Sequence, residues 1–179
     1  MIKQSKCKIC RRVGDKLFLR GDRCSGAKCS LIKRPYAPGQ KPKRRKAGLS
    51  EYGRELREKQ KIKRSYNLTE KEFKGYVSVL LDTGTKLVED VPSAFVKSIE
   101  TRLDNIIFRL GLAKSRGEAR QMVTHGHFLV NGSRTDIPSR QLKVGDKISI
   151  RKGSREKAIF KNIEERVKKA SIPAWLSMD

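Results

Sequence analysis

Residues 102–134 read RLDNIIFRLGLAKSRGEARQMVTHGHFLVNGSR. Two periods follow one another in this stretch. Leu103, Ile106, Ile107 and Leu110 recur at three-four spacing and continue a stripe begun by Phe95, Val96 and Ile99. That spacing predicts one amphipathic helix starting near Asp90, with Pro92 in its first turn, and stopping at Gly111. Ser115-Arg116-Gly117-Glu118 has the form of a capping box, which predicts a second helix with Ala119, Met122 and Val123 on its buried side and Gly126 at its end. From His127 the period changes to two. His127 to Val130 reads as a strand, and Asn131-Gly132 is a tight-hairpin signal because both turn positions take positive φ. A further turn at Val144-Gly145-Asp146 leads into a short strand from Lys147 to Ile150. The expected unit is a helix–turn–helix followed by a β-hairpin.

This unit gathers polar and basic groups on one surface. A helix beginning at Ser115 directs its unpaired amides and positive dipole end outward, which suits a phosphate. Arg116 stands beside that end, Arg120 lies one turn further along, and Gln121 is next to it. The hairpin returns His125, Asn131 and Arg134 toward the same region. Any single arginine here could be a solvated charge that does nothing measurable; the convergence is harder to explain that way. His125 and His127 alternate around a turn, so one is expected to face the surface and the other to pack. Neither has a nearby Ser or Cys nucleophile with an orienting acid, so no catalytic triad is read.

Outward from this unit the chain is strongly basic. Its 179 residues hold 43 Lys and Arg against 19 Asp and Glu, a net charge of +24. The excess is +14 over residues 1–47 and +8 over residues 101–155, while residues 69–100 carry −2. So large a charge repels itself in a compact fold unless a polyanion neutralises it. Nucleic acid and an anionic membrane are the candidates. No apolar run approaches the roughly 20 residues that span a bilayer, and Met1 to Arg12 is basic without the apolar core of a secretory signal. A cytosolic compartment is therefore expected. Two basic regions around a nearly neutral middle suggest two contact surfaces.

Residues 33–48, KRPYAPGQKPKRRKAG, combine three prolines, two glycines and a dense basic run, and read as an extended arm. Beyond it, Ser50 can cap a helix carrying Tyr52, Leu56, Ile62 and Tyr66 at helical spacing. Thr69 and Glu72 form a capping box for the next helix, whose apolar face is Phe73, Val77, Leu80 and Leu81. A final helix is expected from after Ser154 to about Ala170, followed by a short hydrophobic hook, Pro173-Ala174-Trp175-Leu176.

All four cysteines lie near the start: Cys7, Cys10, Cys24 and Cys29, spaced C-x2-C-x13-C-x4-C. Two close pairs joined by a loop permit a tetrahedral zinc ion with four thiolate ligands. Neighbouring Lys and Arg favour the thiolate form. The segment has almost no apolar material, so a metal would supply its folding energy. Disulfides or four unrelated thiols are the alternatives, and a reducing compartment disfavours the first. An iron–sulfur cluster uses the same ligands and is not excluded by spacing. A catalytic zinc would keep an open position instead of a fourth cysteine.

The stretch SRGEARQMVTHGHFLVNG resembles the RNA-binding module named after small-subunit ribosomal protein S-four. CKICRR with the distal cysteine pair resembles that protein family's N-terminal metal knuckle. KRPYAPGQ, LREKQKIKRSYNLTEKEF, ETRLDNIIFRLGLAKSR and PAWLS match in order, so the resemblance to the bacterial type covers essentially the whole chain. It implies a mostly α fold with a small α+β module. The implied organisation is a metal-bound cysteine knuckle and basic arm at 1–48, a helical domain at 49–100 and the RNA-binding module at 101–155. A C-terminal helix and hook at 156–179 would pack back on the helical domain. Family members usually run a few tens of residues past the WLS stretch, whereas this chain ends at Asp179.

The resemblance also implies a function. The family's protein binds the 5′ domain of small-subunit ribosomal RNA at a multi-helix junction early in assembly. It sits near the channel through which messenger RNA enters, beside ribosomal proteins S-five and S-three, and is linked to decoding accuracy. Carried over to this chain, RNA contacts would come from Lys43, Arg44, Arg45 and Lys46 in the arm, from Arg54, Arg57, Lys61 and Arg64 in the first helix, and from Arg102 with the module residues named above. The implied location is the cytoplasm, bound to the ribosome, without homo-oligomers. Recognition would be of the backbone: a folded junction is read by shape because an A-form groove hides base edges. Aromatics are 6% of residues and scattered, which disfavours a base-stacking platform. Pseudouridine synthases and tyrosyl-tRNA synthetases share the module, but this chain lacks a GxxxxGK[ST] phosphate loop and has no segment for a separate catalytic domain. An enzyme is not expected. A free RNA chaperone or a DNA-binding protein are the other readings, and charge alone does not separate them.

Overall fold

A computed structural model describes residues 5–39, 48–83 and 90–178. The chain divides into two compact units, Met1–Phe73 and Lys74–Asp179. The helical segment expected at 49–100 is thus shared between them.

In the first unit, α1 (Lys6–Val13) is followed by the single helical turns α2 (Asp22–Ser25) and α3 (Ser30–Lys33), and then by α4 (Glu51–Ser65). Ile9, Cys10, Val13 and Leu17 form a small apolar cluster with Leu19 against it, more core than the sequence led us to expect. Asp15 pairs with Lys61 at 3.0 Å, which ties α4 to the cysteine segment. Ser50 caps α4 as expected, its Oγ accepting from the Gly53 amide at 3.2 Å. The apolar stripe of α4 is not a buried face, however. Tyr52 is 73% exposed, and Leu56 and Ile62 are also exposed. The buried residue is Lys63, whose ammonium pairs with Glu70 together with Lys59. Glu70 opens α5 (Glu70–Thr83). The capping box there is complete: the Glu72 amide donates to Thr69 Oγ1 at 3.2 Å and the Thr69 amide donates to Glu72 Oε2 at 2.7 Å. These two carboxylates accept the donors that α4 and the start of α5 present, so polar pairing holds what the apolar stripe does not.

The second unit differs from expectation first at its long helix. The stripe from Phe95 to Leu110 is carried by two helices, α6 (Val91–Glu100) and α7 (Leu103–Arg109), with a break at Thr101-Arg102. The cause is a distant segment. Arg102 forms an isolated antiparallel bridge with Gln141, the Leu103 amide donates to the Arg140 carbonyl at 2.8 Å, and the Leu142 amide donates to the Thr101 carbonyl at 2.9 Å. Backbone groups that a continuous helix would pair internally are taken by residues 138–142. Helix α8 (Arg116–Thr124) then begins where the capping box places it.

The strands follow the predicted alternation. β1 (Phe128–Val130) pairs antiparallel with β2 (Ser133–Thr135) and with β3 (Ile148–Ile150), giving the order β2-β1-β3. Asn131 and Gly132 have φ of 52° and 80°, the mirror-image turn that matches strand twist. Thirteen buried apolar residues from Leu103 to Phe160 make one core between α7, α8 and the sheet. Phe128 is wholly buried and meets Phe160 edge-on at 6.1 Å.

The tail is less regular than one helix. Single 3-10 turns at Lys152–Ser154 and Ala158–Phe160 precede α9 (Ile163–Lys169). Two tertiary demands interrupt it: Phe160 is inserted into the core, and Ser154 Oγ is held by buried His127 at 3.0 Å. Ile163, Val167, Ile172 and Leu176 lie against the module's core. The tail seats closely on Gly111, where an added Cβ would stand 2.7 Å from Ala170 Cβ. Among the described residues no helix is long and apolar enough to cross a membrane.

Candidate nucleic-acid interface

The module's basic surface is built on α7 and α8. Arg116 and Arg120 are four residues apart and so lie one turn apart on the same side of α8. Neither hangs loosely in solvent. The Arg116 guanidinium lies over the Phe108 ring, 4.6 Å from its centroid, and Nε donates to Asn105 Oδ1 at 2.7 Å. Asn105 is itself 2% exposed and fixed, since its Nδ2 donates to the Glu100 carbonyl at 2.9 Å and to Glu100 Oε2 at 2.6 Å. Glu100 also accepts from Arg109 Nε at 3.1 Å and Nη2 at 2.5 Å. Arg120 Nη1 stands 3.9 Å from Asp104 Oδ2.

Arg102 corrects the sequence-based assignment. Its guanidinium is 1% exposed and makes a two-pronged pair with Asp104, Nε to Oδ1 at 3.0 Å and Nη2 to Oδ2 at 2.9 Å, while Nη1 donates to the Tyr76 hydroxyl at 2.9 Å. Burial works against its charge, but the Asp104 carboxylate and Tyr76 more than offset this and hold its pKa above the ordinary arginine value. Arg102 is a buried, carboxylate-paired cation at the α6–α7 break.

Two further positions differ in detail from expectation. Ser115 is buried, and its Oγ accepts from the Glu118 amide at 3.3 Å. The Glu118 carboxylate turns back onto the Lys114 amide at 2.6 Å. An acidic group of the chain itself therefore sits at the start of α8, where the sequence suggested a phosphate. Asn131 is exposed but ties two loops together: Nδ2 donates to Asp146 Oδ1 at 2.8 Å and Oδ1 accepts from the Lys147 amide at 2.9 Å. The Lys143 amide also donates to Asp146, and these bonds hold its carboxyl below the ordinary range.

Gln121, His125 and Arg134 are exposed. His125 faces outward and its partner His127 packs, as the alternation predicted; burial lowers the His127 pKa, with Lys157 next in effect. Arg134 lies across Gly126, whose φ is 66°. A Cβ there would come within 2.7 Å of Arg134 Nη2 and closer still to Nε. The bare backbone of Gly126 is what lets the guanidinium lie flat at the end of α8.

In the first unit, Arg54 and Arg57 are exposed on α4, while Lys61 and Arg64 are half-buried, Lys61 against Asp15. Lys43, Arg44, Arg45 and Lys46 lie outside the described residues. The chain leading to them is anchored, because Arg11 Nε donates to the carbonyls of Arg34 (3.1 Å) and Tyr36 (2.9 Å) and its guanidinium stacks over the Tyr36 ring.

Cys7, Cys10, Cys24 and Cys29 line one small cavity with Arg20 and Ser30, and none is in a disulfide. The Ser30 hydroxyl, opposed by burial and aided by Arg20, lowers the Cys7 pKa; burial raises that of Cys10. Among the described residues no three Cys, His, Asp or Glu groups converge closely enough to hold a metal ion as they stand. Four thiols around one cavity are nevertheless a donor set whose chemistry fits a zinc ion.

Sequence reasoning missed Asp104, Asn105 and Phe108. Their signal is present in RLDNIIF, where two polar side chains interrupt an apolar helix face. That pattern marks buried polar groups that must find partners, although it does not say which.

Relatives among known proteins cover nearly the whole chain. Residues 1–91 match the family described as "Ribosomal protein S4/S9 N-terminal domain", and residues 101–148 match the "S4 domain". The chain is 48% identical over 176 residues to "Small ribosomal subunit protein uS4" of Oleidesulfovibrio alaskensis, covering 98% of this chain and 82% of that protein. It is 49% identical to the protein of the same name from Clostridioides difficile, over 96% of this chain and 80% of the relative. It is 47% identical to "Small ribosomal subunit protein uS4A" of Bdellovibrio bacteriovorus, over 99% and 83%.

Proposed function

Because the chain belongs to the uS4 family of small ribosomal subunit proteins, and is a structural protein rather than an enzyme, we propose that it binds the 5′ domain of small-subunit ribosomal RNA at a multi-helix junction. The observation that carries this reading is the pair Arg116 and Arg120, held on one side of α8 beside exposed Gln121, His125 and Arg134. Guanidinium groups contact phosphates and release counterions, while polar side chains contact sugars and phosphates. Arg54, Arg57, Lys61 and Arg64, with the arm residues Lys43 to Lys46, form the second contact region. Arg102 is not part of either. The protein acts in the cytoplasm as part of the ribosome, nucleates subunit assembly, and lies near the messenger-RNA channel beside S-five and S-three, where it contributes to decoding accuracy.

The cysteines hold one zinc ion in this reading. It rests on their paired spacing and shared cavity. The bound ion draws the two halves of the N-terminal segment together and replaces apolar core. Metal analysis of the purified protein should give one zinc per chain; iron with sulfide would point to a cluster instead.

Salt titration of binding to a 5′-domain transcript tests the RNA reading. If about ten phosphates are neutralised, log K falls against log salt with a slope of roughly −7 to −9. A slope near zero, or equal affinity for a DNA duplex, would overturn it.

A further inference from the structure

The chain between Cys10 and Cys24 brings hydrogen-bond donors onto sulfur atoms of both cysteine pairs. The Arg20 amide donates to Cys24 Sγ at 3.4 Å, and Arg20 Nη1 donates to Cys7 Sγ at 3.8 Å. The Leu17 amide donates to the Cys10 sulfur, and the Ser30 hydroxyl donates to that of Cys7. Arg20 and Ser30 line the same small cavity as the four cysteines. We infer that Arg20 is a positioning residue of this thiol site, joining its two halves and, with Ser30, fixing the Cys7 sulfur for a metal ion. The inference rests on the zinc reading above and adds to it the residues that hold the ligands.

Sulfur chemistry gives these contacts their meaning. A thiol is a weak acceptor, whereas a thiolate is the metal ligand and carries charge that N–H and O–H donors can meet. Four thiolates around a divalent ion leave two negative charges in excess. A guanidinium suits that excess, because it stays protonated and offers its N–H donors in a fixed fork. Partners of this kind orient metal ligands and tune their basicity. Arg20 acts on both cysteine pairs because of the turn it stands in. Phe18 and Gly21 have φ of 49° and 60°, and a bulky residue such as Phe18 ordinarily avoids that conformation. The Gly21 amide donates to the Phe18 carbonyl at 3.4 Å and the Cys24 amide to the Gly21 carbonyl at 2.7 Å, which holds the turn against the distal pair. The Arg20 amide is thereby committed to Cys24 while its side chain reaches Cys7. Arg20 could otherwise be one more solvated cation of a basic segment. Bonds to both halves, through amide and side chain, separate it from Arg23, which acts on Cys7 by its charge.

Metal competition on the full chain tests the inference, with zinc and cobalt as the probes. R20Q should weaken zinc binding about tenfold, the lower end of what losing a partner of a metal ligand costs. In the cobalt-loaded protein the thiolate-to-metal charge-transfer band should move to longer wavelength in R20Q, because a sulfur that has lost a donor gives up its electrons more readily. S30A, a smaller change, should move the band in the same direction. R23Q removes the same charge from the same segment and should leave the band in place. A band in R20Q that matches the parent's would overturn the positioning role, even with weaker zinc binding, since a merely structural loss would do that. Equal effects from R23Q would overturn it too. Should R20Q not fold even with metal, S30A decides: an unmoved band would overturn the proposal. If the parent itself takes up neither zinc nor cobalt, the zinc reading fails and the positioning role fails with it. If the parent binds both and R20Q is indistinguishable from it, only the positioning role fails.

Discussion

The module and the cysteine-bearing segment both present arginines and lysines, yet they hold them by different physical means. In the module thirteen buried apolar residues pack α7, α8 and the sheet, and its basic side chains stand on that rigid support. The cysteine segment has an apolar cluster of only four buried residues, Ile9, Cys10, Val13 and Leu17. Its helices are short, its four cysteines line one small cavity, and Arg11 and ion pairs such as Asp15–Lys61 cross-link it. A core of that size offsets little of the conformational entropy of ordering a chain. The difference teaches that basic surface is compatible with two kinds of scaffold: one assembled by hydrophobic burial, and one with a small apolar cluster supplemented by polar contacts.

The contrast can be broken by removing each support in turn. The largest effect is expected from the thiols. On the zinc reading, a thiol-directed reagent with chelator, or Cys10→Ser, should abolish protection of the α1 amides in hydrogen exchange, since such sites supply on the order of 10 kcal/mol of apparent folding energy. The α8 amides should keep theirs; loss of both would end the distinction. Next is Phe128→Ala, which empties the centre of the module's core and should cost about 3–5 kcal/mol in urea unfolding. A cost below about 1 kcal/mol would mean that the core is not what holds the module.

A smaller effect is expected at Gly126. Gly126→Ala places a Cβ against the Arg134 guanidinium and strains a φ of 66°, for roughly 1–2 kcal/mol of stability. Arg134 must also move, so RNA binding should fall with it. The smallest effect concerns acid. Lys59 and Lys63 lower the Glu70 pKa from 4.5 to about 2. A lowered carboxyl pKa contributes stability that is present above the unfolded value and lost as pH falls through the folded one. The loss should therefore run from about pH 4.5 down toward 2. Glu70 is 41% exposed, so screening should keep this under about 1 kcal/mol. In acid titration of the melting temperature, Glu70→Gln should remove this limb; an unchanged profile would count against the pairing.

Much of this was legible in the residues because local rules and tertiary packing agreed. Ser50, Thr69–Glu72 and Ser115 start helices where their hydroxyls predict. Asn131-Gly132 turns the chain, and the alternation around His125 and His127 sorts one outward and one inward. Reading failed where a distant segment intervened. The Phe95–Leu110 stripe is continuous in sequence, but residues 138–142 take the backbone bonds at Thr101-Arg102 and divide it into two helices. Arg102 looked like one more basic contact because nothing nearby in sequence shows that it would be buried against Asp104 and Tyr76. On α4 the helical spacing did not say what would be buried: Tyr52, Leu56 and Ile62 are exposed and Lys63 is buried.

By itself the sequence determined the charge, the order of elements, the cysteine pairs and the family, since these depend on composition, on spacing and on contacts within a turn or two. Only the tertiary structure decided which groups each arginine meets. Arg102 and Arg116 are the same residue type in one module. Arg102 is buried against the Asp104 carboxylate and the Tyr76 hydroxyl, whereas the contacts of Arg116 include the Asn105 amide oxygen and the Phe108 ring face. Whether a cation is neutralised internally depends on which groups the fold brings within about 4 Å of it, and most of those groups come from other elements of the chain.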